Sequence, residues 1–223
     1  MQFGGALPRI LWLLRHADPR EGPMYLAKYD ISDGFYGIFL DPDDALKLGV
    51  LMPRYDGEPQ LVAVPLSLTM GWVSSPPTFC AASETAADIA NASLYRHTVP
   101  PHRLENIASA HDCWGPPPPD PIGPPALLCP TTNPPALLLP PPLPQPEDRA
   151  PLITHQGPVA HVDVFVDDFI GVTQGSQRRC NNARRCIMHA VDRVFARPYA
   201  EAAHWKEAIS EKKLNKGDGG WCQ

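Results

Sequence analysis

The sequence predicts an α+β fold, an antiparallel sheet with helices packed on it, broken by one long proline-rich insert. Three observations carry that expectation. Short β-branched and aromatic runs alternate with longer stretches whose apolar residues recur at helical spacing. Two of the strand-like runs flank Asp167-Asp168 closely enough to form a hairpin, which makes them antiparallel neighbours. Proline is the third: 29 residues of 223, sixteen of them between Pro116 and Pro151. Each proline removes a backbone donor and fixes φ, so that stretch can be neither a helix nor a central strand.

Taken in order, residues 6–16 form an amphipathic helix with Leu7, Ile10, Leu11 and Leu14 on one face. Residues 24–31 form a strand ending at Asp30, and Ser32 to Gly37 a tight segment of about one helical turn. Residues 46–52 and 60–66 are apolar and β-branched, and Tyr55-Asp56-Gly57 supplies turn chemistry between them, which predicts a hairpin. Residues 76–95 begin with two prolines, as helices tolerate in the first turn, and continue with Phe79, Ala82, Ala86, Ile89 and Ala90 at helical spacing. Residues 115–151 read as polyproline II and disorder, a tether between residues 1–114 and 152–223. The segment Pro141-Pro142-Leu143-Pro144 could serve a proline-reading domain, but a bland tether is the simpler reading. Order resumes with a strand over Val159 to Val166, a turn at Asp167-Asp168 and a strand over Phe169 to Val172. Residues 177–197 form a helix with Ile187, Val191 and Val194 inward, and the tail from Lys212 is polar.

Without the insert about 190 residues remain, enough to bury a core. No apolar run is long enough to cross a membrane as a helix, and the N-terminus lacks the layout of a secretory signal. The six cysteines contain no CxxC pair, which argues against a zinc module and reads as reduced thiols in an intracellular chain. The net charge of −5 does not advertise nucleic-acid binding, but residues 162–223 carry a net +2 and gather Arg178, Arg179, Arg184 and Arg185. Those arginines are either a solvated helix face or phosphate contacts.

The chemistry concentrates in carboxylates. Phe165-Val166-Asp167-Asp168-Phe169 sets two adjacent acids between strand-forming residues, where hairpins ordinarily use Asn-Gly or Asp-Gly. Like charges this close raise each other's pKa unless a cation offsets them, and hard Mg²⁺ suits carboxylate oxygens. The competing reading is an exposed acidic turn. Asp30, at the end of another short strand, would join them if the strands are neighbours, giving three carboxylates at one edge of the sheet in the outline of a two-metal site. Met70-Gly71-Trp72-Val73-Ser74-Ser75-Pro76-Pro77 combines a glycine, which lets backbone approach a ligand, with a helix start that welcomes phosphate.

Together the three segments resemble a reverse transcriptase of the retrotransposon and retrovirus type. Tyr29-Asp30-Ile31-Ser32-Asp33-Gly34-Phe35-Tyr36 resembles the first motif of the palm, Met70 to Phe79 the second and Phe165-Val166-Asp167-Asp168 the third. Lys212-Lys213-Leu214-Asn215-Lys216 is a weaker match to the lysine-bearing segment that follows. The resemblance implies a polymerase palm with part of the fingers. Its activity would be RNA-directed DNA synthesis with two Mg²⁺ ions (Mn²⁺ able to substitute) on Asp30, Asp167 and Asp168. Ile31 would offer its backbone carbonyl to the nucleotide-side metal, Phe35 would be the gate against a 2′-hydroxyl, and Met70 and Gly71 would pack by the incoming nucleotide. Lys213 and the four arginines would touch nucleic acid. The implied partners are an RNA or DNA template with its primer, deoxynucleoside triphosphates, and the rest of a retroelement polyprotein, with no membrane.

The chain departs from that family in two respects. The interval from Phe79 to Phe165 is lengthened by the insert, which a surface loop absorbs at small entropic cost. The basic fingers strands, thumb, ribonuclease H and integrase regions have no counterpart, which implies a fragment of a polyprotein or a decayed copy, inactive alone and at most binding nucleic acid. A third reading starts from Leu14-Arg15-His16-Ala17, which resembles the strand-end motif of histidine phosphatases with His16 as phosphoryl acceptor. No second Arg-His pair returns in a matching context, and a surface histidine on a helix is the better reading.

Overall fold

The computed structural model describes residues 5–95, 99–115, 157–195 and 207–223. These form a mixed α+β structure with a small antiparallel sheet and packed helices. The elements are α1 (Ala6–His16), β1 (Met24–Asp30), α2 (Pro42–Lys47), β2 (Val50–Leu51), β3 (Val62–Ala63), α3 (Ser75–Leu94), α4 (Glu105–Ser109), β4 (Ala160–Phe165), β5 (Asp168–Gln174), α5 (Gln177–Phe195) and α6 (Glu211–Leu214). Short 3₁₀ turns occupy Pro19–Glu21 and Gly34–Gly37, the second where one helical turn was expected. The insert expected over 115–151 lies outside the described residues but for Gly115. Among the described residues no helix is long and apolar enough to cross a membrane.

The main sheet has the order β1-β5-β4, all antiparallel. Side chains two apart share a face, and directly paired residues point the same way. Tyr25, Ala27 and Tyr29 therefore lie on the same side as Phe169, Gly171 and Thr173 and as Ala160, Val162 and Val164. That side is the core. Tyr29, Phe169 and Thr173 are fully buried there. Gly171 has no room for a side chain: a Cβ would stand 2.8 Å from Cη2 of Trp221 and 3.1 Å from Cδ1 of Ile187. The opposite side carries Lys28 and Asp30, Asp168 and Ile170, and His161, Asp163 and Phe165.

Helices α3 and α5 close the core. Their facing residues are small, with Cys80, Ser83, Ala86, Ala87 and Ala90 on α3 and Cys180, Ala183, Cys186 and Ala190 on α5 buried, so the two backbones can approach closely. Ile187 and Val191 are fully buried, as expected from the period, and Val194 is half-buried. The outer edge of β4 is sealed by side chains. Asn91 of α3 both donates to the Val162 carbonyl (2.7 Å) and accepts from the Val162 N–H (2.8 Å), and Tyr95 donates to the Ala160 carbonyl (2.8 Å). These bonds occupy three backbone groups along that edge of β4, which discourages pairing with another chain.

Four expectations need correction. Residues 46–52 are not one strand. Asp41 accepts from the N–H of Asp43 and Pro42 takes the first helical position, so α2 runs to Lys47 and only Val50–Leu51 pairs with Val62–Ala63. On α1, Ala6 and Ile10 turn inward while Leu7, Leu11 and Trp12 are exposed, because the helix docks through Arg9, whose guanidinium grips Asp163 at 2.6 Å. The tail from Lys212 is polar in composition but belongs to the core: Leu214 and Trp221 are buried, and Cys222 pairs with Leu26 of β1. The turn at Asp167-Asp168 lies one residue earlier, at Val166-Asp167, and Asp168 opens β5, which extends to Gln174.

Candidate active site

Asp30 closes β1 and Asp168 opens β5, and the two are direct partners in the register. Asp168 is also the partner of Phe165 across the β4–β5 hairpin. Two residues, Val166 and Asp167, make the turn, and Val166 has φ +60°. Asp167 is not in the left-handed region, so the positive φ falls at the first central position alone, where a hairpin ordinarily uses glycine. A β-branched residue there is strained. Such strain persists only where the surroundings enforce it, and it clusters at functional sites. The turn is held over the end of β1 by a hydrogen bond from the Ile31 N–H to the Asp167 carbonyl (3.3 Å).

Asp30 and Asp168 lie side by side, each beside a lysine, and the charge of Asp167 reaches Asp30. Asp30 is 6% exposed, and the Lys213 ammonium stands 2.5 Å from its Oδ1. Lys28 pairs with Asp168 at 3.0 Å. Burial pushes the Asp30 carboxyl above the usual carboxylate range, the Lys213 ammonium pulls it back, and the neighbouring Asp168 and the charge of Asp167 push it up again. Asp30 in turn raises the Lys213 ammonium. The end of strand β1 therefore holds a buried acid, two further acids within electrostatic reach, and a cation on a side chain that is 44% exposed. Among the described residues, no three His, Cys, Asp or Glu side chains are gathered as a ready-made metal cage. The donor set itself is all carboxylate oxygen, the chemistry that suits Mg²⁺ or Mn²⁺.

No protein-family model, curated protein or solved structure matches the chain.

The other residues singled out in the sequence fall in distinct places. Ile31 is buried and bridges Ile209, so its backbone is tied on both sides. Phe35 is half-buried with its ring stacked on Phe79 at 4.8 Å. Met70 is exposed, and Gly71 has φ +95° with open space where a Cβ would stand. The arginines of α5 do not form one surface. Arg178 is exposed, but Arg179 donates to the Gln174 carbonyl and Arg185 pairs with Glu105. Arg184, expected on a phosphate-facing surface, is fully buried in an ion pair with Asp112 and a hydrogen bond to Asn181 at 3.0 Å. Burial makes it a core residue, unavailable to a phosphate. Arg15 and His16 lie at the C-terminal end of α1 rather than at a strand end, and His16 bonds the Trp12 carbonyl at 2.7 Å, which removes the context of the phosphatase reading.

Lys28 was missed. Its signal was available, since a residue two before Asp30 on a strand must share its face. The left-handed Val166 has no counterpart in composition or periodicity, because valine is the residue least expected there.

Proposed function

We propose that this chain is the palm part of a reverse-transcriptase-like polymerase, acting in RNA-directed DNA synthesis by two-metal nucleotidyl transfer. The observation that carries the reading is the register pairing of Asp30 with Asp168 beneath the strained Val166-Asp167 turn. It gathers at one end of one sheet the acids that two separate sequence motifs contribute. Asp30, Asp167 and Asp168 would hold the divalent ions, which when bound supply neutralisation of phosphate charge and a lowered pKa for the primer 3′-hydroxyl. The chain's own residues position and balance charge. The ladder between β1 and β5 fixes the spacing of Asp30 and Asp168. Phe35, backed by Phe79, presents a fixed aromatic edge beside the first motif, suited to excluding a 2′-hydroxyl. Lys213 neutralises Asp30 and, on an exposed stem, can leave it when a stronger cation arrives.

The Lys213–Asp30 ion pair also favours a second reading, a catalytically inactive relative that at most binds nucleic acid. There the ammonium would replace the metal for good. Mn²⁺ titration of the 223-residue chain, followed by electron paramagnetic resonance, separates the two. The polymerase reading expects a bound ion that is lost in Asp167→Asn and Asp30→Asn. Equal ion binding by the parent and Asp167→Asn, or none by the parent, favours the inactive reading. Within the polyprotein that the resemblance implies, Asp167→Asn should abolish Mg²⁺-dependent primer extension on an RNA template. Template–primer binding should stay within a few-fold, since phosphate contacts supply the affinity. Phe35→Ala should keep deoxynucleotide incorporation and raise ribonucleotide incorporation.

A further inference from the structure

Cys113 and Cys222 are far apart in sequence and directly paired in space. They are partners in an isolated parallel β-bridge, in which the Cys113 N–H donates to the Trp221 carbonyl at 2.7 Å. On its other side Cys222 exchanges two backbone hydrogen bonds with Leu26 of β1, at 2.8 and 2.9 Å. The order across this edge is thus Cys113, Cys222, β1. Neighbouring strands stand about 4.8 Å apart. Directly paired residues project to the same side, and a disulfide spans Cα separations of ~4.4–6.8 Å. The Cys113 thiol bonds the His111 carbonyl at 3.7 Å and neighbours the Cys222 thiol. Burial first and that neighbouring thiol second raise the Cys222 thiol. Both thiols are exposed, whereas Cys80, Cys180 and Cys186 are buried among apolar neighbours.

We infer that Cys113 and Cys222 are a redox modification site, a thiol pair that closes to a disulfide by exchange with a small-molecule disulfide of the glutathione class. One thiolate attacks a sulfur of oxidised glutathione and expels one reduced glutathione. The second thiolate attacks the mixed disulfide so formed and expels the other. Two cysteine thiols are oxidised, one glutathione disulfide is reduced to two thiols, and two protons leave the protein thiols for the released ones. The bond clasps the last residues of the chain to the segment before Gly115. Because Cys222 is laddered to Leu26 and the Ser210 N–H donates to the Asp30 carbonyl at 2.8 Å, the whole stretch that carries Lys213 is then fastened along β1 at both ends. Without the bond the far end is held by its backbone bonds to Leu26 and by buried Trp221. The disulfide adds a covalent tie to contacts that the reduced chain already makes.

The test uses the full 223-residue chain, reduced and then equilibrated with oxidised and reduced glutathione at about pH 8.5, where thiolate is available. Peptide mapping should find Cys113 joined to Cys222. The melting midpoint should rise by about 10–20 °C, as for closing a loop of this length in a domain of this size. Dithiothreitol should reverse both. Cys113→Ser and Cys222→Ser, at exposed positions, should each fold with the midpoint of the reduced parent and lose its response to glutathione. A bond from either cysteine to Cys129, a dimer joined through them, mixed disulfides that never resolve, or an unchanged midpoint after the bond has formed would each overturn the inference.

Discussion

Val166 holds a backbone conformation that valine resists, and the cost of that conformation can be measured. Elsewhere in a strand, replacing a half-buried valine by glycine loses side-chain packing and adds backbone freedom to the unfolded chain. At Val166 the relief of φ +60° offsets that loss. Val166→Gly should therefore change stability by less than about 1 kcal/mol, while Val164→Gly, in regular β4, should cost about 2 kcal/mol. Urea unfolding of both variants reads the difference, and equal losses would mean the turn is not strained. Asp30 makes a second residue-scale case. Its folded pKa is raised, so the native state holds its proton more tightly than the unfolded state does. The associated stability is fully present below the ordinary carboxylate pKa and is lost as pH rises through the folded value. At neutral pH Asp30 is thus a burden on the fold, and Asp30→Asn should raise the melting midpoint at pH 7 rather than lower it. A lower midpoint would make the Lys213 ion pair structural. That Asp30 and Asp168 would converge was legible in the sequence, because each ends or begins a short strand and antiparallel strands bring such ends together. Lys28 could have been placed beside them from its position two before Asp30 on the strand, whereas nothing in the polar tail shows that Lys213 folds back onto Asp30.

Helices α3 and α5 and the β4–β5 hairpin were legible because their periodicity is long and strong enough to dominate local choices. Two elements were not, for identifiable reasons. In α2 the capping signal Asp41-Pro42 outweighed the apolar character of residues 46–52. In α1 one ion pair outweighed the leucine stripe, turning the helix so that Arg9 meets Asp163. Burial opposes the charge on Asp163, yet the Arg9 guanidinium and the neighbouring His161 hold its carboxyl well below the usual range. Its contribution is therefore present above about pH 4 and is lost as pH falls through the lowered value. Arg9→Ala should cost about 2–3 kcal/mol at pH 7, because it strands a buried carboxylate. The penalty should shrink in acid as Asp163 takes up a proton, and a penalty independent of pH would remove the ion pair from the account. Asn91 is the corresponding test at the other side of β4. Asn91→Ala removes both bonds to Val162 and leaves a half-sealed strand edge, at about 2 kcal/mol. Asn91→Leu should not rescue it, since bulk alone cannot satisfy the Val162 groups.

At the scale of the whole molecule, the least legible feature is that the polar C-terminal segment completes the core. Its composition reads as solvent-exposed, but a single tryptophan decides its fate. Trp221 is fully buried, its backbone N–H bonds Asp112 at 2.9 Å, and Asp112 is the partner of buried Arg184. The indole ring fills the space that Gly171 leaves open in the middle of β5. Sequence periodicity could not reveal this, because a glycine inside a strand and a tryptophan fifty residues later carry no shared pattern. The two positions should therefore be coupled. Trp221→Ala removes the largest fully buried side chain among the described residues and should cost about 3–5 kcal/mol. Trp221→Phe should cost less, since the indole N–H has no hydrogen-bond partner among the described residues and only volume is lost. Gly171→Ala forces a Cβ against the indole and should cost about 1–3 kcal/mol by overpacking. In the Trp221→Phe background the smaller ring leaves room for that methyl. Gly171→Ala should then cost at least about 1 kcal/mol less than it does alone, a coupling of the size expected for residues in contact. Additive losses in this double-mutant cycle would mean that the C-terminal segment does not pack beneath β5. The support it gives to Lys213 and to the carboxylates would then have to come from the Ser210 to Asp30 backbone bond alone.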